Sequence, residues 1–389
     1  MSCIGNPGRT GFMKWKKMFF LAFGHFASDF YPGLLAPLLP LLTTQYGWTL
    51  AQTGILIMVM SIFANAMQPV IGLLNDRYPL KLFLWLGPML SAIPFSFFFF
   101  MTHFEIMVIA LAIAGLGVAM YHPVGAVAAG YGNEENKRVV TMAFFSSGGS
   151  VGVTAAPLAM VLIINVIGIQ YMPLVAIPAF LMMFYFLYDN DIVVSEHKGH
   201  TLREMISSLS DNFGELTLLW IISGFRAIVY CIVGNFLALM MIARGYSYAA
   251  SAYFLSASLL AGIVGMFIGG HLCDRHGKRK IMALSLFLSV PLFFGFSFTT
   301  GPLSIVFLLL AMVSLTATLP VNIVLAQRAA PKLPGMASSL VMGLSFMFGA
   351  VAAPPFGALA DRIGIEAAMN WIFLVPVIGG LGVLFLKSE

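Results

Sequence analysis

The chain is poor in charged residues. Asp, Glu, Lys and Arg make up only 9% of its 389 residues, whereas an ordinary soluble domain has roughly 25%. Hydrophobic residues make up 60% of the chain, and a globule of this length has too little interior to bury that much apolar surface. The composition therefore excludes an ordinary soluble enzyme and indicates a chain that is solvated by lipid.

Cysteine is scarce as well. Cys3, Cys231 and Cys273 form an odd set, and their spacing fits neither a disulfide framework nor a metal site. The sequence has no HExxH pair and no phosphate-binding GxxxxGK[ST] loop, so we expect no enzyme activity, no primary transport and no cofactor. The net charge of +5 is small, and it gives no reason to expect nucleic acid as a partner.

Long apolar runs are what the chain does have. They recur along its whole length at about 20 residues each, which is the length of a membrane-spanning helix. The run after Lys17 continues too far for the apolar core of a signal peptide, so we read it as the first span. We predict twelve spans, numbered 1 to 12, at residues 15–44, 50–75, 80–101, 105–130, 138–164, 168–189, 213–242, 248–274, 280–299, 302–327, 335–362 and 367–386.

One polar stretch divides the chain near its midpoint. Residues 190–212 are rich in charged and hydroxyl side chains, while the segments on both sides are apolar, so we predict a cytoplasmic linker there. The expected parts are a cytoplasmic N-terminal tail (1–14), an N-terminal six-helix bundle (15–189), this linker, and a C-terminal six-helix bundle (213–389).

The positions of Lys and Arg predict the orientation in the membrane. If the N-terminus is inside the cell, every basic residue falls on the cytoplasmic side except Arg226, Arg244 and Arg362. Cytoplasmic loops of membrane proteins carry an excess of Lys and Arg. We therefore predict that both termini are cytoplasmic.

Two sequence features each occur twice. Residues 72–77 read GLLNDR at the end of span 2, and residues 270–275 read GHLCDR at the end of span 8, 198 positions later. Residues 155–157 in span 5 and 352–354 in span 11 both read AAP, 197 positions apart. Two unrelated features at nearly one offset predict a duplicated six-helix unit.

The Gly-x3-Asp-Arg loops resemble the signature of the major facilitator superfamily. The second copy is the fuller one, because Gly277 and three basic residues follow it. The glycine-rich span 5, which contains Pro157, is similar to the antiporter motif of this superfamily. The resemblance implies an all-α membrane protein whose twelve transmembrane helices form two six-helix bundles and move a substrate by alternating access.

A finer resemblance is to the fosmidomycin-resistance branch of drug-efflux proteins. Residues 24–31 of span 1 read GHFASDFY, residues 121–123 of span 4 read YHP, and residues 327–340 read QRAAPKLPGMASSL. The resemblance implies a proton-coupled exporter, and it does not name the substrate. We predict efflux of a small antimicrobial or organic anion by a monomer in the lipid bilayer of a bacterial inner membrane. The alternative is a proton-coupled importer or facilitator of an organic anion or metabolite.

Ionisable residues inside spans are few, and each is a candidate for function. His25 and Asp29 lie four residues apart in span 1, so a helix places them on one face. Because a carboxylate and an imidazole in a low-dielectric cavity can exchange a proton near neutral pH, we predict that this pair couples transport to protons. The alternatives are a hydrogen-bonded lock on a neighbouring helix and a polar contact in the cavity. His122, which precedes Pro123 in span 4, is a further proton-coupling candidate, or it satisfies the carbonyl that the proline frees.

Arg226 is the one basic residue well inside a span. A guanidinium stays charged and binds carboxylate or phosphonate through two hydrogen bonds, so we predict that Arg226 contacts an anionic substrate. A standing ion pair with an acid of span 1 or 4 is the alternative. Asn235 and Asn322 are weaker substrate-binding candidates, because such residues more often make interhelical hydrogen bonds. Tyr31, from the span 1 motif, joins this substrate-binding set.

A third set of residues is predicted to control conformation. The resemblance implies that Asp76 meets the start of span 11 and Asp274 the start of span 5, where each carboxylate accepts hydrogen bonds from a helix N-terminus and closes the cytoplasmic side. Glycines at 72 and 270 would let these helices approach closely. The gating candidates are Gly72, Asp76, Arg77, Pro157, Gly270, Asp274, Arg275 and Pro354.

Overall fold

The structure is a computed structural model, and part of the chain lies outside its description. The predicted linker falls almost entirely in that part, as do residues 1–6 of the predicted tail. Among the helical residues, the side chains at 7–14, 76, 135–140, 274, 340 and 342 also lie outside the description. The described residues are 7–130, 135–188, 192, 194, 212–330, 337 and 340–386.

The described chain is mostly helical, and it forms the twelve spans of the predicted fold. Spans 2 to 10 and span 12, ten in all among the described residues, are each long and apolar enough to cross a membrane. The N-terminal bundle contains span 1 (Pro7–Gly33 and Leu35–Tyr46), span 2 (Leu50–Ala66 and Gln68–Arg77), span 3 (Phe83–Phe97), span 4 (Phe104–Gly130), span 5 (Glu135–Leu162) and span 6 (Ile169–Ala176 and Ile177–Tyr188). The C-terminal bundle contains span 7 (Phe213–Ala243), span 8 (Tyr248–His276), span 9 (Lys278–Phe298), span 10 (Gly301–Thr316 and Leu319–Ala329), span 11 (Leu340–Leu344 and Ser345–Ile363) and span 12 (Ile365–Ile372 and Val375–Val383).

Four spans are interrupted part of the way along. Span 1 breaks at Leu34, span 2 at Met67, span 10 at residues 317–318 and span 12 at residues 373–374. A proline lies two residues from each break, at positions 32, 69, 320 and 376. Proline removes a helical hydrogen bond, and in a membrane the neighbouring helices satisfy the backbone groups that it frees. The apolar runs predict the spans but not these breaks.

Span 5 packs against span 1 through a stripe of glycines. A Cβ at Gly148 would lie 2.1 Å from the carbonyl oxygen of Ala22, and a Cβ at Gly152 would lie 2.3 Å from that of Phe26. Lipid tails are as apolar as the helices, so close backbone approach at small residues has to supply the association. These glycines therefore set the distance between spans 1 and 5.

The two bundles meet at the end of the molecule that lies opposite the basic loops. Asp361 of span 11 accepts hydrogen bonds from the backbone N–H groups of Leu50 and Ala51 in span 2, at 2.8 and 3.0 Å. Ser256 of span 8 donates to the carbonyl of Thr154 in span 5 at 2.9 Å. We call this the closed end, formed around residues 46–50 and 361–365, and we call the opposite end the basic end.

Candidate functional site

Three ionisable side chains meet inside the N-terminal bundle. His122 Nε2 lies 2.9 Å from Asp29 Oδ1, and His25 Nε2 lies 3.4 Å from Asp29 Oδ2. The two imidazole rings are 4.8 Å apart and nearly perpendicular. The structure thus brings together the three residues that the sequence predicts for proton coupling.

The cluster fits between spans 1, 4 and 5 because span 5 has a glycine beside it. Span 1 carries His25 and Asp29 one turn apart, and span 4 brings His122 to the other carboxylate oxygen. Span 5 passes directly behind them at Gly149, where a Cβ would lie 2.3 Å from Asp29 Oδ2 and 2.7 Å from His25 Nε2. Only glycine can occupy this position without displacing the ionisable pair.

One hydrogen position in the cluster follows from its partner. His25 Nδ1 lies 2.8 Å from the carbonyl oxygen of Phe145 in span 5. A carbonyl only accepts, so Nδ1 carries the hydrogen, and Nε2 of a neutral His25 is a bare acceptor. This Nε2 faces Asp29 Oδ2, which is also an acceptor when the carboxylate is charged. We call the space between these two atoms the proton gap. A proton bound there turns a repulsive contact between two acceptors into an attractive hydrogen bond.

Two tyrosines lie within electrostatic reach of Asp29. Tyr121 of span 4 is fully buried beside the cluster and donates a hydrogen bond to the carbonyl of Leu21. Tyr230 of span 7 belongs to the other bundle, and it interacts with the charges of both Asp29 and Arg226. Tyr230 is therefore within electrostatic reach of the acidic cluster of one bundle and of the arginine of the other.

The same trio could surround a small cation. Its three ligand atoms lie within 4.8 Å of one another. Two ligands of a tetrahedral zinc ion, each bound at 2.0–2.1 Å, are about 3.3 Å apart, whereas His122 and Asp29 are 2.9 Å apart, at hydrogen-bond distance. The His122–Asp29 distance is therefore shorter than a tetrahedral zinc site would give.

Arg226 is buried in the C-terminal bundle with unpaired donors. The residue is 1% exposed, and its Nε and Nη2 atoms have no hydrogen-bond partner among the described residues. The guanidinium lies 5.8 Å from the ring of Phe346. In this conformation Asp29 is bonded to histidine instead of Arg226. Asn322 Nδ2 donates to Ser223 Oγ at 2.7 Å, while Asn322 Oδ1 is buried and unpaired.

The other two substrate-binding candidates have partners within their own bundles. Asn235 Nδ2 donates to the carbonyl of Cys231, one turn earlier in span 7, at 2.9 Å. The fully buried Tyr31 donates to the carbonyl of Val175 at 3.0 Å and accepts from the N–H of Ala179 at 3.1 Å. These contacts tie span 1 to span 6.

The two glycines of the Gly-x3-Asp-Arg loops face their own bundles in this conformation. A Cβ at Gly72 would lie 3.7 Å from Pro123 of span 4, and a Cβ at Gly270 would lie 4.0 Å from Pro320 of span 10. Spans 4 and 10 hold corresponding places in the two halves, so the repeated loops have corresponding neighbours.

The remaining gating candidates lie at both ends of the molecule. Arg77 and Arg275 are exposed at the basic end. The carboxyl groups of Asp76 and Asp274 lie outside the described residues, so their predicted contacts with spans 11 and 5 stay predictions. Pro354 of span 11 packs on span 2 near the closed end, and its counterpart at position 157 lies within span 5.

Sequence reasoning missed the part that span 5 plays in the cluster. Residues 148–152 read GGSVG and match the letters of the nucleophile motif GxSxG, which needs a strand-to-helix turn. Here they lie inside a helix, and the Ser150 hydroxyl donates to the carbonyl of Ser146 at 3.4 Å. The glycine-rich pattern is therefore a packing surface, and its function is to admit Asp29 and His25.

Known proteins share both the sequence pattern and the fold. The chain matches the Major Facilitator Superfamily over residues 19–346. It is 28% identical over 395 residues to the uncharacterized MFS-type transporter YfnC of Bacillus subtilis (strain 168), with 99% of this chain and 96% of that protein covered. It is 23% identical over 389 residues to the fosmidomycin resistance protein of Escherichia coli (strain K12), with 95% and 92% covered.

A solved structure shows the same fold at lower sequence identity. The bacterial homologue of the human lysosomal transporter Spinster, in an inward-facing and occupied conformation, superimposes with a TM-score of 0.75 at 15% identity, covering 98% of this chain and 97% of that one. The chain therefore belongs to the major facilitator superfamily, and it is a multi-pass membrane transporter of small molecules and not an enzyme.

Proposed function

We propose that this transporter is a proton-coupled exporter of a small antimicrobial or organic anion. It works by alternating access in a bacterial inner membrane, with both termini in the cytoplasm. The observation that carries the coupling is the proton gap, where His25 Nε2 and Asp29 Oδ2 face each other at 3.4 Å while His25 Nδ1 is committed to the carbonyl of Phe145.

Loading and unloading this gap changes the contacts of span 1. With a proton in the gap, His25 and Asp29 attract each other within span 1, and the charged imidazole donates a stronger hydrogen bond from Nδ1 to the Phe145 carbonyl of span 5. Without that proton, two acceptors face each other within span 1, and the bond to span 5 is the weaker one of a neutral imidazole. Charge interactions in a low-dielectric interior reach several kcal/mol, and a difference of about 5.5 kcal/mol is enough to invert a two-state equilibrium almost completely.

The anionic class of substrate is supported by Arg226. A buried guanidinium whose donors lack partners is unfavourable by several kcal/mol, so an anion that binds these donors gains strongly. The unpaired Nε and Nη2 atoms lie on one edge of the guanidinium. Two parallel donors of this kind match two oxygens of a carboxylate or a phosphonate.

The direction and the orientation rest on different observations. Similarity to the fosmidomycin resistance protein supports export. The concentration of Lys and Arg at one end supports a cytoplasmic basic end. In that orientation the closed end faces away from the cytoplasm.

Proton flux in proteoliposomes tests the proposal. Purified protein is reconstituted with the pH-sensitive dye pyranine inside, and fosmidomycin is added on one side only. We expect proton movement opposite to fosmidomycin, and we expect Asp29→Asn to abolish it while passive fosmidomycin exchange persists. Glu105→Gln, which removes an exposed carboxylate near the start of span 4, is the matched control and should behave as wild type.

Three other results of this experiment would each point to a different function or role. Undiminished substrate-driven proton movement in Asp29→Asn would contradict the coupling role of the cluster. Proton movement in the same direction as fosmidomycin would favour the importer. Normal transport with a lower melting temperature in Asp29→Asn would indicate that the cluster only locks the helices together.

A further inference from the structure

The closed end carries a third copy of the loop pattern. Residues 357–364 read GALADRIG and residues 270–277 read GHLCDRHG, so both fit Gly-x3-Asp-Arg-x-Gly. Their last glycines have φ of 86° and 88°, a backbone conformation that favours glycine. Each of these glycines also donates its N–H to the carbonyl four residues earlier, at 2.9 and 3.1 Å. The two segments share one local structure at opposite ends of the molecule.

This third copy is docked on the other bundle. Asp361 accepts from Leu50 N–H through Oδ1 at 2.8 Å and from Ala51 N–H through Oδ2 at 3.0 Å. The next N–H group, that of Gln52, donates to Thr49 Oγ1 at 3.2 Å. The first three N–H groups of span 2 are therefore all satisfied, two of them from span 11, and a carboxylate at a helix N-terminus also gains from the helix dipole.

A glycine makes this docking possible. A Cβ at Gly357 would lie 2.1 Å from the carbonyl oxygen of Leu50, and a Cβ at Gly54 would lie 2.5 Å from the carbonyl oxygen of Ala353. Any side chain at either position would have to push the backbone of the facing helix away. We call this close contact between spans 2 and 11 the seam. The same close packing brings Asp361 within hydrogen-bond distance of Leu50 and Ala51.

We propose that Asp361 is a gating residue of the transport cycle and that its two hydrogen bonds to span 2 hold the closed end shut. This function belongs to alternating access itself, and it rests on neither the proton coupling nor the substrate proposed above. When the seam between spans 2 and 11 opens, Asp361 leaves Leu50 and Ala51, and water takes its place on their N–H groups.

The first half of the chain lacks this gate. At the internal-repeat offset of 197, the position that corresponds to Asp361 is Ile164, and the position that corresponds to Gly357 is Met160. Span 8, which faces span 5, is capped by its own Ser247, whose hydroxyl accepts from the N–H of Ala250 at 3.2 Å. The acidic gate therefore lies on one of the two equivalent seams only.

Distances between spin labels across the closed end test this inference. Labels are placed at Gln45 and Thr300, which are exposed in different bundles at this end, in the full-length chain without native cysteines, reconstituted in nanodiscs. At one fixed pH, we expect the short distance to be the dominant one in the parent protein. Loss of a capping carboxylate should shift the closed-to-open ratio about fivefold in Asp361→Ala, and less in Asp361→Asn, which keeps one acceptor oxygen.

Two further variants make the result decisive. Glu366→Gln removes another carboxylate at the same end, but Glu366 pairs with Arg244 inside the C-terminal bundle, so its distances should match those of the parent. Gly357→Ala keeps Asp361, but its added Cβ pushes spans 2 and 11 apart, so it should also increase the open population. Unchanged distances in Asp361→Ala and Gly357→Ala, or an equal shift in Glu366→Gln, would overturn the assignment.

Discussion

The buried guanidinium of Arg226 should make the empty transporter less stable than it could be. Nε and Nη2 have no hydrogen-bond partner in the part of the chain that the structure describes, and the residue is 1% exposed. A buried unpaired charge is unfavourable by several kcal/mol. The ring of Phe346, 5.8 Å away, offsets about 1 to 2 kcal/mol of this by a cation–π contact. Arg226→Met keeps a long flexible side chain and removes the charge. We therefore expect this variant to be about 2 kcal/mol more stable than wild type when no substrate is bound.

A second arginine provides the matched comparison. Arg244 at the closed end donates to Glu366 at 3.1 Å and to the carbonyls of Phe296 and Ser297 at 3.3 and 3.0 Å. Arg244→Met leaves these acceptors without their donor, and it should lower stability by about 1 to 2 kcal/mol, a value reduced because Glu366 is half-exposed. The same substitution should thus have opposite signs at the two positions.

Thermal unfolding of the purified protein in detergent measures both effects. We expect the Tm of Arg226→Met to rise by about 4 °C, at about 2 °C for each kcal/mol in a large chain, and the Tm of Arg244→Met to fall. Methylphosphonate should raise the Tm of wild type and leave that of Arg226→Met unchanged. A fall in Tm for Arg226→Met equal to that for Arg244→Met would show that Arg226 has a structural partner, and it would refute the reasoning.

Three further perturbations test the site and the orientation. Gly149→Ala should lower pH-driven transport in proteoliposomes at least tenfold, because its Cβ would lie 2.3 Å from Asp29 Oδ2; a wild-type rate would contradict this steric account. A cysteine placed at His276 should escape a membrane-impermeant maleimide in intact spheroplasts, whereas one at Thr300 should react, and the opposite pattern would reverse the orientation. Label distances across the closed end should change between about pH 5.5 and pH 8 in wild type. They should stay constant in Asp29→Asn, because its carboxamide can donate to His25 without an added proton. A wild-type pH response in that variant would show that Asp29 does not take part in the coupling.

The sequence predicts the spans well because hydropathy alone determines where a helix can cross lipid. The predicted span at 50–75, for example, corresponds to the helices of Leu50–Ala66 and Gln68–Arg77. The start of span 1 is predicted less well, since its helix begins at Pro7 and the apolar run begins later. Hydropathy reports where the lipid-facing segment begins, whereas the helix continues as far as its backbone hydrogen bonds do.

The candidate site is only partly predictable, because its parts come from distant positions in the chain. The four-residue spacing of His25 and Asp29 fixes a shared helix face, and nothing more. The carbonyl that orients His25 belongs to Phe145, 120 positions away, so the hydrogen on Nδ1 cannot be derived before the packing is known. Asp361 is a different case, since its Gly-x3-Asp-Arg pattern is visible in the sequence but lies at the end where basic loops are not expected.

The two charged sites are divided between the bundles, and this division constrains how transport can be coupled. Asp29 lies in the N-terminal bundle and Arg226 in the C-terminal bundle. Leu50 moves with the first bundle and Asp361 with the second, so any rotation of one bundle against the other at the closed end must break the bonds between them. Tyr230 is in electrostatic reach of both charged sites. Under the proposed function, opening therefore depends on the sum of the free energies at the two sites, and a proton and an anion would each contribute a share of it.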